Sequence, residues 1–542
     1  MPEPLDTVFR YHEQTKHHLD RYARSPGYLD WANQPDPFRR YEGAPLVELP
    51  LPELRREPTC DSLYLRLPEP RPLDGDSISE LFFFSLALSA WKQVRGLDGR
   101  IQARWSLRVN PSSGNLHPTE AYLVCGPAEG LCEEPAVYHY APHEHGLELR
   151  RRLAAVPGLA PGCALVGFTS IHWREAWKYG ERAWRYCQHD CGHAIAAVAL
   201  SAACLGWRAQ LVDSVPAETI ARLLGVHTQE GPETEHPDCL LLLTPEGAAG
   251  GFTSEGLDSL EGSEWLGSPN RLSPEHRLWP VIDEVAAATA SPGLQHPPGR
   301  RFPDLPPLDD RGLPAHEIIR RRRSAVAMDG ETQMPREAFY RLLVRLMPQP
   351  VPYGVLPWPP AVSLALFVHR VADLDAGLYV LVREPAHEDA LRRALRPDFL
   401  WHRPDGCPPE LPLYLLLPAD TRQAARTISC HQEIASDGVF SLGMLARFEE
   451  TLRRGGPAIY PRLFWETGVI GQVLYLEAEA AGLRGTGIGC FFDDAMHATL
   501  GIRDRSWQSL YHFTVGGPLE DRRLETAPAY AHLAQRRAGP ER

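Results

Sequence analysis

Two serines, a glycine, an asparagine and a histidine stand between Pro111 and Pro118 in the stretch RVNPSSGNLHPTEAYLV, Arg108 to Val124. Proline fixes φ and brings no N–H, so no helix runs through this piece. Ser112, Ser113, Gly114 and Asn115 are turn formers with free hydroxyl and amide groups. The expected result is a stiff polar loop delivered onto a strand, Ala121–Val124. Such a loop either connects two elements or holds a planar polar ligand. Further along, Lys178-Tyr179 sets an amine beside a phenol. A lysine serves as a base when burial lowers its pKa, and a tyrosine relays or orients a proton. Trp173, Trp177 and Trp184 around the pair fit a plain helix contact equally well. Arg320–Ser324, RRRRS, offers planar forks of donors and a hydroxyl that suit phosphate, or a solvated basic patch. GTGIG from Gly485 lets a ligand approach the backbone, or is a bland turn. In CQHDCGH, Cys187 and Cys191 share one helix face while His189 and His193 share another. Zinc needs about four convergent ligands, so no metal site is expected.

The elements that must position these residues come in two sets. Cys191–Trp207 and Thr467–Leu483 are small-residue runs expected as buried helices ended by glycine. Gly192 and Gly206 are fourteen apart, as are Gly468 and Gly482, and Leu200 and Leu476 each fall eight residues after the first glycine. After each run comes an apolar stretch with an aspartate, Asp213 or Asp493-Asp494, read as caps of the next helices. A hydrophobic strand follows, Cys239–Leu243 or Tyr511–Val515. Earlier in each set lies an amphipathic helix, Ile78–Trp91 or Arg336–Met347. The repeated order points to internal duplication and to a ligand site between the copies.

Bulk properties fit this. A chain of 542 residues exceeds one core and divides into two or more domains. A net charge of -13 argues against a broad nucleic-acid or acidic-membrane surface. No apolar run reaches the roughly 20 residues that span a bilayer, and residues 1–10 carry no export signal. The eleven cysteines are scattered and odd in number, so the expected compartment is a reducing cytoplasm.

Pro111-Ser112-Ser113-Gly114-Asn115 followed by His117-Pro118 resembles the Pro-Ser-Ser/Ala-Gly loop of the FMN-dependent nitroreductase superfamily. The version ending LHPTEAYLV resembles its SagB-type branch, which oxidises azolines to thiazoles and oxazoles. YHEQTKHHLDRY near the start, WKYGERAWRYCQHDCGHA from Trp177 and the aspartate after the buried helix agree with that branch. Arg320–Ser324 resembles the Arg-Arg-Ser opening of the superfamily fold, and GTGIGCFFDD its flavin-contacting glycine loop. The likeness covers most of the chain outside roughly residues 250–312.

The resemblance implies an α+β fold. It would hold two tandem nitroreductase-like domains, residues 1–250 and 313–542, joined by a proline-rich linker over 251–312 and paired as an intramolecular pseudo-dimer. FMN is held between subunits in this superfamily. The implied phosphate clamp is Arg321, Arg323 and Ser324, completed by Arg522 and Arg523. Gly487, Ile488 and Gly489 would lie along the ring, and Pro111, Ser112, Ser113, Gly114 and Asn115 at its pyrimidine edge. Lys178 and Tyr179 are the implied catalytic pair, and His193 would pack near the active face. The second half's counterpart of the serine loop, Leu356–Leu364, lacks the Ser-Ser-Gly-Asn chemistry. The first half's start offers Thr15 and Lys16 in place of the arginines, and its GWRAQLVDS lacks the glycine insert. One complete site, hence one FMN per chain, is therefore expected. The implied activity is hydride transfer through flavin N5, dehydrogenating an azoline in a small molecule or peptide. The alternatives are an NAD(P)H-dependent nitro or quinone reductase, and a non-catalytic scaffold in a peptide-modifying complex. The chain is expected as a monomeric pseudo-dimer or a homo-oligomer, with no nucleic-acid or membrane partner.

Overall fold

Two helices of 22 residues, Ala183–Cys204 and Ile459–Ala480, are packed against each other at the centre of the molecule. The first is rich in alanine and the second in branched aliphatic and aromatic residues, and both are buried along nearly their whole length. They cross at Gly192 and Gly468. A Cβ on Gly192 would lie 2.5 Å from the Trp465 carbonyl oxygen and 2.9 Å from Gly468 Cα. One on Gly468 would lie 2.7 Å from Gly192 Cα and would collide with the His189 carbonyl. Only two residues without side chains let the backbones approach so closely. The computed structural model describes residues 3–96, 98–247, 251–257, 260–297 and 299–533.

Each long helix feeds the same series of elements. Ala183–Cys204 leads to the edge strand Trp207–Leu211, the helix Ala217–Leu224 and the long strand Glu235–Pro245. Ile459–Ala480 leads to Arg484–Ile488, Asp493–Leu500 and Trp507–Gly516. Both short helices have eight residues and stop at a left-handed glycine, Gly225 (φ 71°) and Gly501 (φ 84°). The sheets repeat this plan. In the first half five adjacent strands run in the order Ala136–Ala141, Thr119–Cys125, Ala164–Ile171, Glu235–Pro245, Trp207–Leu211. In the second the order is Gly377–Leu381, Val362–Val368, Phe440–Arg447, Trp507–Gly516, Arg484–Ile488. All these pairings are antiparallel. The first sheet grows to seven strands with Gly146–Arg152 and Leu46–Glu48, the second to six with Leu413–Pro418. The architecture is α+β, one unit used twice.

The halves also exchange arms. The N-terminal helix Pro4–Gln14 reaches the second half, where the His12 ring bonds the Tyr460 hydroxyl at 3.0 Å and Gln508 at 3.2 Å. In return, the late strand Leu524–Ala527 pairs with Leu88–Arg95 of the first half, which also pairs with Ile101–Arg108. Trp91 Nε1 then donates to the Ala529 carbonyl at 2.8 Å. This pairing explains why the helix expected over 78–91 stops at Phe83. The alternating residues from Leu88 are drawn into a ladder whose partners are distant in sequence, and tertiary pairing overrides helix propensity. Residues 251–312, expected as a linker, are packed in part. Their helix Pro280–Thr289 lies on Pro4–Gln14, with Val285 fully buried. Among the described residues no helix is long and apolar enough to cross a membrane.

Alanine at Gly192 or Gly468 would drive its methyl into rigid backbone, and overpacking of that kind costs about 1–3 kcal/mol. The urea midpoint of either variant should fall accordingly; an unchanged midpoint would mean that the helices do not meet at these glycines.

Candidate functional site

A cleft of ≈ 380 Å³ opens between the halves. Residues 110–115 and His117 of the first half form one wall; Arg322, Arg323, Ser324, Thr486 and Gly487 of the second form the other. Asp190 and His193 from one long helix, Tyr475 from the other and Tyr511 also line it, as do Arg484, Glu520 and Asp521.

The serine loop owes its shape to three residues of unusual backbone. Gly114, Asn115 and His117 have φ of 59°, 61° and 52°, a region that only glycine enters freely and asparagine tolerates. Side chains of the loop hold it there. The His117 N–H donates to Ser112 Oγ at 2.8 Å, and Asn115 Nδ2 donates to the Ser106 carbonyl at 2.9 Å. The Asn115 amide is thus used inside the loop. The Ser113 N–H reaches both Asp190 oxygens at 3.0 and 3.1 Å, and its hydroxyl donates to Asp190 at 2.9 Å. Behind Gly114 stand Lys178 and Tyr179. A Cβ at that glycine would lie 2.7 Å from the Tyr179 hydroxyl and 3.2 Å from Lys178 Nζ. The pair borders the loop and is not itself among the residues lining the cleft.

The opposite wall is a cluster of cations. Arg322 is buried and donates to the carbonyls of Val109 and Arg108, both at 3.0 Å, while its Nη1 has no partner. Arg323 donates to the carbonyls of Arg320, Arg322 and Ser89. Burial, with Arg322, Arg320 and Arg484 nearby, brings Arg323 down to about 9. Ser324 Oγ and the Gly487 N–H both donate to the Tyr475 hydroxyl, at 3.0 and 2.9 Å. Crowded guanidinium groups that meet main-chain oxygen rather than carboxylate are built to receive an anion. The phosphate dianion of FMN fits this donor set.

The expected clamp residues lie in different places. Arg323, Ser324 and Gly487 line the cleft, together with Arg322 and Arg484. Arg321 turns outward to Glu479 (2.7 Å) with its side chain 58% exposed. Arg523 pairs with Asp521 at the surface and Arg522 is exposed. Ile488 lies in the buried core of the second half, and Gly489 abuts Tyr186. The helix Ala315–Arg321 ends one residue short of Arg322. That register, invisible in a run of four arginines, decides which of them face inward.

Asp190, which no sequence motif singled out, is a buried carboxylate in the cleft wall. Burial pushes it up to about 7, against the pull of Ser112 and Ser113. Glu175, fully buried with both oxygens unpartnered, is raised well above the carboxylate range by burial and by Asp190. Tyr179 is raised too, by burial and then Glu175, so it stays protonated. His193, lowered to about 3 by burial, is neutral and bonds Gln472 and the Tyr511 hydroxyl. The signal for Asp190 was its type: a carboxylate inside a small-residue helix is costly unless used.

The aspartates expected as caps serve as seam ties. Asp213 binds Arg462 and His296, and Asp493 takes Arg182 at 3.0 Å and Arg185 at 2.9 Å. Lys16 pairs with Asp494 at 3.1 Å, and the Thr15 carbonyl accepts from Arg182. Thr15 and Lys16 are therefore held at this tie and are not among the residues that line the cleft.

The equivalent seam on the other side is filled. Here Glu466 accepts from the Ala361 N–H at 2.9 Å, as Asp190 does from Ser113, but Arg383 neutralises it at 2.6 Å. Tyr353–Val355 packs on Trp207–Leu211, and Trp358 is buried with its ring 5.8 Å from His296. Arg300 from the joining segment donates to the carbonyls of Tyr353 and Leu356 at 2.9 and 3.0 Å.

Because Asp190 is raised in the folded state, the stability it contributes is fully present below about pH 4 and lost as pH rises through about 7. The stability of Asp190→Asn relative to the parent should therefore rise across that window, by up to roughly 4 kcal/mol. Parallel pH profiles from chemical denaturation would contradict the buried, unpaired carboxylate.

A model of the Nitroreductase family matches residues 100–240 and 412–517, one stretch in each half. A protein described as a candidate nitroreductase from Anabaena variabilis is 19% identical. The match covers 95% of this chain and 99% of that one, at a TM-score of 0.66. The fold is thus shared over 95% of this chain. A candidate nitroreductase from Ralstonia eutropha matches 42% of this chain and 98% of its own at 18% identity and a TM-score of 0.28. The E. coli microcin synthetase McbBCD complex matches 37% and 69%, at 18% identity and a TM-score of 0.26. No curated protein matches the chain.

Proposed function

For a chain that carries nitroreductase-family sequence and the nitroreductase fold in both halves, we propose an FMN-dependent oxidoreductase of the SagB type with one shared flavin site. One observation carries this reading: a serine loop from the first half and an anion-seeking Arg322–Ser324 from the second face each other across a single cleft. Arg322, Arg323 and Ser324 would hold the phosphate. Gly487 would let the ring system approach the backbone, and residues 111–115 would border its pyrimidine edge. Bound there, FMN supplies a two-electron acceptor of hydride at N5.

The substrate class proposed is a peptide azoline, for which the LHPTEAYLV form of the loop is the support. Aromatisation of an azoline releases a hydride and a proton from adjacent ring atoms. Lys178, at the edge of the loop, takes the proton, and Tyr179, held protonated, orients it. Gly114, having no Cβ, lets this pair pack directly against the loop. Asp190 in the cleft wall is raised by burial to about 7, and burial raises Glu175 well above the carboxylate range. The fold itself supplies position and electrostatics.

The protein reconstituted with FMN should oxidise an azoline peptide, read as loss of two hydrogens by mass. Arg323→Ala should weaken FMN binding by about 10- to 100-fold, the worth of a charge-assisted contact or two. Lys178→Ala should leave binding unchanged and lower turnover by about 10²- to 10⁴-fold. Bleaching of the flavin by NAD(P)H without peptide oxidation would replace this reading with a nitro or quinone reductase. Failure to hold FMN would overturn both and favour the scaffold.

A further inference from the structure

Beyond the flavin cleft, the strand Arg484–Ile488 runs on to Cys490, whose sulfur lies 2.8 Å from that of Cys430. Cys430 sits in a turn after the helix Arg422–Ile428. It and His431 are consecutive non-glycine residues in the left-handed region, φ 53° and 61°. Such a conformation is costly and persists only where its surroundings impose it. Here the Phe492 N–H donates to the Ile428 carbonyl at 2.7 Å, and Gln432 Nε2 donates to the Cys490 carbonyl at 3.1 Å. Both cysteines are partly accessible.

The surroundings treat the two thiols differently. His17 Nδ1 accepts from the Ala23 N–H at 2.9 Å, which leaves its Nε2–H for the Cys490 sulfur. Arg182, whose Nη2 donates to the Gly489 carbonyl at 3.2 Å, lies alongside. The Cys430 thiol, then His17 and Arg182, lower Cys490 to about 5 despite burial. Cys430 is raised by the same partnership. A stabilised thiolate beside a protonated thiol is the arrangement of a nucleophilic and a resolving cysteine.

We propose that Cys490 and Cys430 form a thiol–disulfide exchange centre that takes small disulfides as substrates. The Cys490 thiolate attacks one sulfur of a disulfide RSSR, forming a mixed disulfide and releasing RS⁻. Cys430 then gives its proton to solvent and attacks the Cys490 sulfur, releasing the second RS⁻. The chain loses two electrons and RSSR gains them. Oxidation ties the turn at Cys430 to the end of the glycine strand that lines the flavin cleft. The inference is independent of what occupies that cleft.

Glutathione disulfide is the probe. The reduced full-length protein should lose two hydrogens, recover with dithiothreitol, and give a peptide linking residues 430 and 490. Cys430→Ser should trap one glutathione on Cys490, and Cys490→Ser should yield neither product. On the unaltered protein, iodoacetamide near pH 6 should label Cys490 at least tenfold faster than Cys60, which burial raises to about 12. Labelling of Cys490 no faster than Cys60, or failure of Cys430→Ser to trap glutathione, would overturn the proposal.

Discussion

Everything in this molecule is referenced to the point where Gly192 meets Gly468. The two long helices touch backbone to backbone there, so the spacing of the halves is set by main chain, which has no rotamers to adjust. Two residues before each glycine stands a carboxylate, Asp190 or Glu466, and each reaches up to an N–H of its own half's loop. The crossing therefore positions both loops at once. The arms exchanged between halves, and the buried ion pairs of Asp213 and Asp493, hold the rest of the seam to the same reference.

From that common frame the two seams have diverged. On the filled side Glu466 has Arg383 for a partner, and Trp358, Tyr353 and the joining segment occupy the space. Breaking such a buried pair is expensive, so this side is committed to structure. On the open side, among the described residues, Asp190 accepts hydrogen bonds only from serine, Arg322 and Arg323 donate only to carbonyls, and the Glu175 carboxylate has no hydrogen-bond partner. Buried charge without a partner lowers stability, and a fold tolerates it where a ligand or a reaction uses the imbalance. The fused pair makes the asymmetry possible. A symmetric dimer must carry any change in both sites, whereas a tandem chain can close one seam and leave the other to chemistry.

Much of this plan was legible in the chain. The paired glycines, the order of helix, strand and short helix, and the serine loop with its prolines are local patterns, and local patterns survive in sequence. The duplication appeared in the glycine spacing because close backbone approach at Gly192 and Gly468, and a left-handed backbone at Gly206 and Gly482, both favour glycine. What stayed hidden depended on register or on distant partners. Which arginine of four faces inward follows from where a seven-residue helix stops. The hairpin from Leu88 looked helical because its second neighbour is a strand more than four hundred residues away. Asp190 was in plain view inside a motif read for metal. Its role depends on Ser113, and that contact is a property of the folded chain. Asp213 and Asp493 looked like caps for the same reason: the arginines that claim them belong to other elements.

The central claim is that a single flavin bridges the two halves at the open seam. A crystal structure of the protein soaked or grown with FMN addresses it most directly. The account predicts one flavin per chain, touching residues 111–115 on one side and Arg323 and Ser324 on the other, with Trp358 undisturbed in the opposite seam. Flavin bound within one half, or seated at Trp358, would contradict it.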